Sequence, residues 1–233
     1  LEKINFLANL LDKLQNKNYS GSSWGYNFDW QARFLFLFPK NTPTVVATSF
    51  CVEALFKAYD ITSNKKYKTL ALSSAEFVIN DLLRTKYKSG FIFSYSPISG
   101  NNTVFNASML GAKILSLCYK YSNKEKYKEL AQKAIKTICE FQERDGSWIY
   151  GLLKIQYRKD SFHTGYILDA MKTYEDCTND TQFNKYLKKG FIFYINNFFD
   201  KNGRPKYYHN YTFPIDIHCP GQLIITLHKL NLY

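Results

Sequence analysis

The chain has no apolar run approaching the roughly 18 residues that a membrane-spanning helix needs, so no transmembrane helix is expected within it. Its five cysteines, Cys51, Cys118, Cys139, Cys177 and Cys219, form no CxxC pair. Four of them sit in apolar helical patterns, which reads as reduced core thiols of a cytoplasmic protein. The opening Leu-Glu-Lys has neither an initiator Met nor the form of a signal peptide, and is expected to be the edge of a longer chain. Acidic residues are few, 19 against 31 Lys and Arg, for a formal charge of +12. A basic surface can serve nucleic acid, membrane or an anionic substrate. No basic block here is interleaved with aromatics as nucleic-acid binding requires, and the lysine clusters (Lys65, Lys66, Lys68; Lys124, Lys126, Lys128; Lys185, Lys188, Lys189) fall at helix starts and on polar faces. Nucleic acid is therefore not an expected partner. Neither is disorder expected, because 45% of the residues are hydrophobic and 18% aromatic.

What is present is a repeat. Ser63-Asn64-Lys65-Lys66-Tyr67 returns as Ser122-Asn123-Lys124-Glu125-Lys126-Tyr127, and again, more weakly, as Thr178-Asn179 through Phe183. Tyr67 and Tyr127 are 60 residues apart and Phe183 lies 56 further on. A fixed period of this length signals an array of like units. Tyr67, Leu70, Ala71, Ser74, Ala75, Val78 and Leu82 share one helical stripe with lysines opposite, as do the residues from Tyr127 to Phe141 and from Phe183 to Tyr194. Such helices are amphipathic and lie at a surface. The segments 44–59, 105–121, 162–177 and 217–231 carry fewer charges and more small residues, which predicts buried helices. Asn, Ser and Thr in the turns are expected to supply N-caps. A helix over 1–17, with Ile4, Leu7, Leu10, Leu11 and Leu14 on one stripe, reads as a further outer helix.

The expected fold is all-α: an α/α toroid of inner and outer helices occupying 1–233 as one domain, an incomplete ring lacking its N-terminal hairpins, with an open helical solenoid as the alternative. The inter-unit loops repeat too, at Trp24-Gly25-Tyr26, Phe91-Ile92-Phe93-Ser94-Tyr95, Trp148-Ile149-Tyr150 and Lys206-Tyr207-Tyr208. Alternating aromatics after a turn predict short β-ribbons. Each loop joins an outer helix to the next inner one, so all four should rim one mouth.

Counting back from the late tyrosine of each inner helix places Thr48, Ser108 and His163 at equivalent first-turn positions, and His218 lies 55 residues after His163. These are expected to face a central hollow, where helix N-termini favour anions. The candidate catalytic residues are His163, Tyr166, His218 and Asp216. A His and a Tyr can serve as base and acid at an activated carbon. Trp24, Tyr26, Asp29, Arg33, Asn106, Trp148, Tyr150 and Asp160 are candidates for holding a sugar, since rings stack on sugar faces and charged or amide groups bind hydroxyls and carboxylates. Each has a plainer alternative. Asp160 and Asp216 suit helix N-caps, His163 a satisfied core histidine, and Trp24 and Trp148 packing between hairpins. His209 and His228 read as structural or exposed. His218-Cys219 lacks further ligands for zinc, and no cofactor is expected.

Gln142-Glu143-Arg144-Asp145-Gly146-Ser147-Trp148 resembles the Q-x-x-D-G-S-W signature of terpenoid-cyclase and prenyltransferase-like toroids, where it ties hairpins together. The acidic DxDD and DDxxD motifs of that chemistry are absent. Trp24-Gly25-Tyr26-Asn27-Phe28-Asp29-Trp30-Gln31-Ala32-Arg33 resembles the W-G-Y-P-F-D-W-Q-x-R of uncharacterised proteins in bacterial and archaeal polysaccharide-biosynthesis loci. The likeness continues at Phe93 to Pro97, Asp160 to Tyr166 and Phe213 to His218, with Asn27 where proline is usual. It implies an α/α toroid, similar to six-hairpin glycosidases, uronate lyases and glucuronyl epimerases, and a link to cell-surface glycans.

The first expectation is an enzyme acting on an acidic oligo- or polysaccharide or its lipid-linked precursor, of lyase, C5-epimerase or hydrolase type. In the first two types Arg33 would face the carboxylate. A non-catalytic glycan-binding or scaffold protein is the second reading, and an isoprenoid-binding toroid the third.

Overall fold

The computed structural model describes residues 1–32 and 36–232. Among these, eight α-helices follow one another as α1 (Glu2–Leu14), α2 (Val45–Thr62), α3 (Lys65–Glu76), α4 (Phe105–Ser122), α5 (Glu125–Glu140), α6 (Ser161–Thr178), α7 (Asn184–Phe198) and α8 (His218–Lys229). Helix α4 packs against α2 and α6, and α6 against α8, so the even-numbered helices form an inner row. Helices α1, α3, α5 and α7 pack outside it. The architecture is an α/α toroid of inner and outer helices. The stripe of α3 is buried from Tyr67 to Ala75 while its lysines face solvent, and α5 repeats this with Tyr127, Ala131, Ala134, Ile135 and Ile138. Helix α4 is enclosed on nearly every side, which is why its sequence tolerates so few charges.

The turn chemistry differs from the expectation. Of the Ser, Asn and Thr between inner and outer helices, only Asn64 is the side-chain N-cap of an outer helix, accepting from the Lys66 N–H at 3.1 Å. Ser63, Asn123 and Asn179 instead end the inner helices in left-handed conformation, with φ of 57°, 55° and 56°. Each returns its own N–H to a carbonyl of the last turn, at Tyr59, Tyr119 and Glu175. Asn adopts this region more readily than most residues, so Asn123 and Asn179 mark where α4 and α6 stop, while Ser63 takes that place after α2.

The stripe of α1 is only half used. Ala8, with Ile4 and Leu11 beside it, meets the core, but Leu7, Leu10 and Leu14 are exposed, because α1 lies at one end of the row. The β-ribbons form in two of the four loops. Strands β1 (Trp30–Ala32) and β2 (Phe36–Phe38) pair antiparallel, as do β3 (Arg84–Tyr87) and β4 (Gly90–Phe93). In the later loops, pairing shrinks to isolated bridges such as Val104 with Gly151 and Phe199 with Pro205. There the backbone ties loop to helix: the Phe105 N–H donates to Tyr150 O, and Pro205 has no N–H to offer a ladder.

The Gln142 to Trp148 segment is a structural tie. The Gln142 amide donates to Gly146 O at 3.0 Å and to Tyr186 O at 2.9 Å, bridging α5 to α7. Trp148 is buried, donates to Ile138 O, and lies against Gly190 so closely that a Cβ there would stand 2.4 Å from its Cζ3. Gly190→Ala is therefore expected to cost about 1–3 kcal/mol by overpacking. Urea unfolding measures this, and an unchanged midpoint would remove the lock.

A ring of charge crosses the inner helices. Lys113 on α4 reaches Glu53 on α2 and Asp169 on α6, both at 2.6 Å. Lys229 on α8 pairs with Asp169 and, at 3.4 Å, with Glu53. Four helices thus share two carboxylates and two ammonium groups, and the Lys113 side chain is only 1% exposed. Burying so charged a group is tolerable only because it is paired on both sides.

All five cysteines are free thiols, three of them buried. Burial pushes Cys51 up to about 12 and Cys177 and Cys219 up to about 11, which keeps these thiols protonated and unreactive. Among the described residues no helix is long and apolar enough to cross a membrane.

Candidate functional site

The four loops do meet at one mouth. Each sends one tyrosine to a single cavity of about 420 Å³: Tyr26, Tyr95, Tyr150 and Tyr207. The volume lies within the range of small-ligand sites, about 300–1,000 Å³. Trp30 stacks on Tyr95 at 5.7 Å and on Phe38 at 5.4 Å, which fixes the aromatic wall on the β1–β2 side. Helix α6 supplies the opposite wall through Phe162, His163 and Tyr166.

His163 and His218 both line this cavity, with the Phe162 ring between them at 4.1 Å from His163 and 5.4 Å from His218. Each imidazole is held by an aspartate. His163 Nδ1 lies 2.7 and 2.9 Å from the two Asp160 oxygens, and His218 Nδ1 lies 2.7 Å from Asp216 Oδ1. The same aspartates accept the backbone N–H of their histidines, at 3.1 and 2.9 Å. The cap and the imidazole partner are therefore one group, not alternatives. A carboxylate at Nδ1 fixes the Nδ1–H tautomer and leaves Nε2 with its lone pair. The two pairs differ in setting: the Asp160 side chain is fully enclosed, whereas His218 is 64% exposed.

Tyr166 lies edge-on to His163, ring centroids 5.9 Å apart. Burial, with smaller contributions from Tyr26 and Asp160, pushes its phenol up to about 12, so it carries its proton at neutral pH and can donate it. Burial likewise raises Tyr26 and, far more, Tyr95. Arg158 places its guanidinium 4.1 Å from the Tyr150 ring centroid and 3.9 Å from Asp160. Asn106, at the start of α4, is 1% exposed, and among the described residues neither of its amide atoms has a hydrogen-bond partner. A buried amide without partners is costly, and this one borders the cavity.

Of the sequence-expected residues, Tyr26, Asn106, Tyr150, His163, Tyr166, Asp216 and His218 line the cavity, and Asp160 stands behind His163. Trp24 and Trp148 do not line it. Trp24 is buried with its indole N–H on Leu11 O, so both tryptophans pack hairpins together. Asp29 is exposed on the loop surface, where it accepts from the Lys40 N–H, and Arg33 lies outside the described residues. Thr48 and Ser108 are fully buried ties rather than cavity groups, accepting from the N–H of Trp24 and of Phe93. Sequence reasoning missed Tyr95, Arg158, Phe162 and Tyr207. The recurrence of one tyrosine per loop was the available signal for two of them. Among the described residues, no three His, Cys, Asp or Glu side chains converge to hold a metal ion.

No family model and no curated protein matches the sequence. Solved structures do. A cellobiose 2-epimerase from Spirochaeta thermophila superposes with a TM-score of 0.67 at 12% identity, over 99% of this chain and 66% of that one. A glycosyl hydrolase family 88 protein from Bacteroides vulgatus gives 0.63 at 13% identity, over 82% and 63%. An unsaturated glucuronyl hydrolase specific for heparin gives 0.66 at 14% identity, over 80% and 56%. The shared fold is the α/α toroid. At these identities the likeness concerns the fold, and the chain spans about three fifths of the length of these structures.

Proposed function

We propose that this chain acts on a carbohydrate in the tyrosine-rimmed cavity by moving a proton at a sugar carbon, with His163 as base and Tyr166 as acid. The observation that carries the reading is the Asp160–His163 pair on the cavity wall, with a protonated phenol beside it. The aspartate holds the imidazole so that Nε2 can take the proton. The tyrosine rings supply faces on which a sugar can stack.

Arg158, on the cavity wall, offers the kind of group that was expected of Arg33, which lies outside the described residues. Its planar guanidinium suits a carboxylate, which points to an acidic sugar whose C–H beside the acid group is the one that ionises. Lyase or epimerase chemistry follows from such a step. Hydrolysis fits less well, because it calls for two carboxylates flanking the bond. Here Asp160 and Asp216 are each engaged by a histidine and Asp29 lies elsewhere. The fold is shared with proteins named as an epimerase and two hydrolases of sugars, which supports a carbohydrate substrate. A place in cell-surface polysaccharide biosynthesis, a cytoplasmic location and an incomplete ring belong to the same proposal.

The test is proton exchange. Uronate-containing oligosaccharides incubated with the protein in D₂O should either gain deuterium at one carbon, as an epimerase reprotonates it, or give a shortened, unsaturated uronate product, as a lyase breaks the glycosidic C–O bond; mass spectrometry and NMR read both. Binding without any label or product would instead favour the non-catalytic glycan-binding reading.

A further inference from the structure

The segments 157–161 and 207–211 run antiparallel at the mouth. The Ser161 N–H donates to Tyr207 O at 2.9 Å, and Asp160 bridges Tyr208. One part of this ribbon, Tyr207, faces the central cavity. Another part lines a second, outer cavity of about 260 Å³, bordered by Tyr157, Lys159, Tyr208, His209 and Tyr211. Arg158 borders both cavities. The Tyr207 and Tyr208 rings are in contact, 4.6 Å between centroids, so the aromatic surface continues from one cavity to the other.

We propose that the outer cavity is a second sugar subsite, and that the preferred ligand is an acidic oligosaccharide of at least two units with a carboxylate held by Arg158 at the junction. This rests on the reading of the central cavity given above.

Three observations carry it. First, Tyr157 and Tyr211 are 64% and 63% exposed beside a concave surface, where a ring can stack on a sugar at little cost in order. Second, the polar groups there are incompletely used. Among the described residues, neither Arg158 Nε nor His209 Nδ1 has a hydrogen-bond partner. Burial, and then Lys159, depress His209, so it meets a ligand as a neutral donor or acceptor of hydroxyls. Third, the charge of the wall is partly balanced before any ligand arrives. Lys159 is paired with Glu143 at 2.8 Å and Asp145 at 3.3 Å. That leaves Arg158, whose one ion pair among the described residues is with Asp160 at 3.9 Å, as the cation best placed for a carboxylate. A ligand one sugar long is held in the central cavity; only a longer one uses both cavities and Arg158 between them.

The experiment is calorimetric titration of the intact chain with oligogalacturonates of one to six units and heparin-derived oligosaccharides of two to six. Affinity should climb steeply from one unit to three and then level off. In Tyr157→Ala and Tyr211→Ala the gain with length should shrink about 5- to 10-fold, the worth of a lost aromatic contact, while affinity for the monomer stays as in the wild type. Tyr157→Phe should keep the gain. A flat length profile, or alanine variants that keep the full gain, would overturn the outer subsite and leave the central one standing. No binding by either acidic series would take down both. Both tyrosines are exposed, so their replacement does not threaten the fold.

Discussion

Lys113→Met lowers the unfolding free energy by about 3–5 kcal/mol, the loss expected when one member of a buried ion pair is removed. The reason is position. Lys113 lies between Glu53 and Asp169 and is nearly closed off from water. Without it, both carboxylates depend chiefly on Lys229, which then serves two partners alone. Lys57 also contacts Glu53, at 3.2 Å, but its side chain is 70% exposed, so Lys57→Ala should change stability by no more than about 1 kcal/mol. Urea unfolding at constant m-value measures both.

The pH dependence has a definite sign. Burial alone would raise Glu53, but Lys113, Lys229 and Lys57 together hold it well below its usual 4.5. A depressed carboxyl contributes stability above its unfolded value, and that contribution is lost as pH falls through the folded value. Burial would lower Lys113, yet Asp169 and Glu53 raise it above its usual 10.5, so its contribution is complete below that value and fades only in strong alkali. The gap between wild type and Lys113→Met should therefore be widest between about pH 5 and 10, and should narrow in acid. A variant as stable as the wild type at pH 7 would show that the ring does not hold the inner helices together.

How much of this was legible follows from what periodicity can encode. The outer stripes could be read because one buried face and one lysine face recur every turn, and the unit recurs along the chain. Glu53, Lys113, Asp169 and Lys229 step by 60, 56 and 60 residues, the same rhythm as the repeat, yet the first three each stand between two apolar neighbours in sequence. Only the exposed Lys57 beside Glu53 lies in the same helix; the partners that close the ring lie on other helices, where no local pattern marks them. Trp24 and Trp148 misled for the opposite reason. A tryptophan in a loop motif looks like a sugar platform, but each indole N–H finds a carbonyl in an outer helix, Leu11 or Ile138, and draws the ring inward. The histidines were legible because they recur at the inner-helix starts. Their aspartates carried a double role that sequence could offer only as alternatives.

For proton transfer at the cavity, His163→Ala should lower kcat by about 10²- to 10⁴-fold, the usual worth of a general base, and stability by about 1–3 kcal/mol, because the enclosed Asp160 loses a partner. The imidazole bonds to Asp160 alone, and the backbone N–H that Asp160 caps remains in the variant. Asp160→Asn separates positioning from binding. Asn is also a good N-cap, so the helix start should persist within about 1 kcal/mol, but an amide no longer fixes the imidazole tautomer as a carboxylate does. Its kcat should fall while KM stays near the wild-type value, the pattern of a residue acting through another. Tyr166 supplies the pH test. Because burial holds its phenol up at about 12, loss of its proton should cut the rate only near that pH, not near the ordinary 10.0. Tyr166→Phe should remove this alkaline limb together with most of the rate. A His163→Ala protein that labels the sugar at the wild-type rate would exclude His163 as the base. An alkaline limb unchanged in Tyr166→Phe would assign the acid to another group.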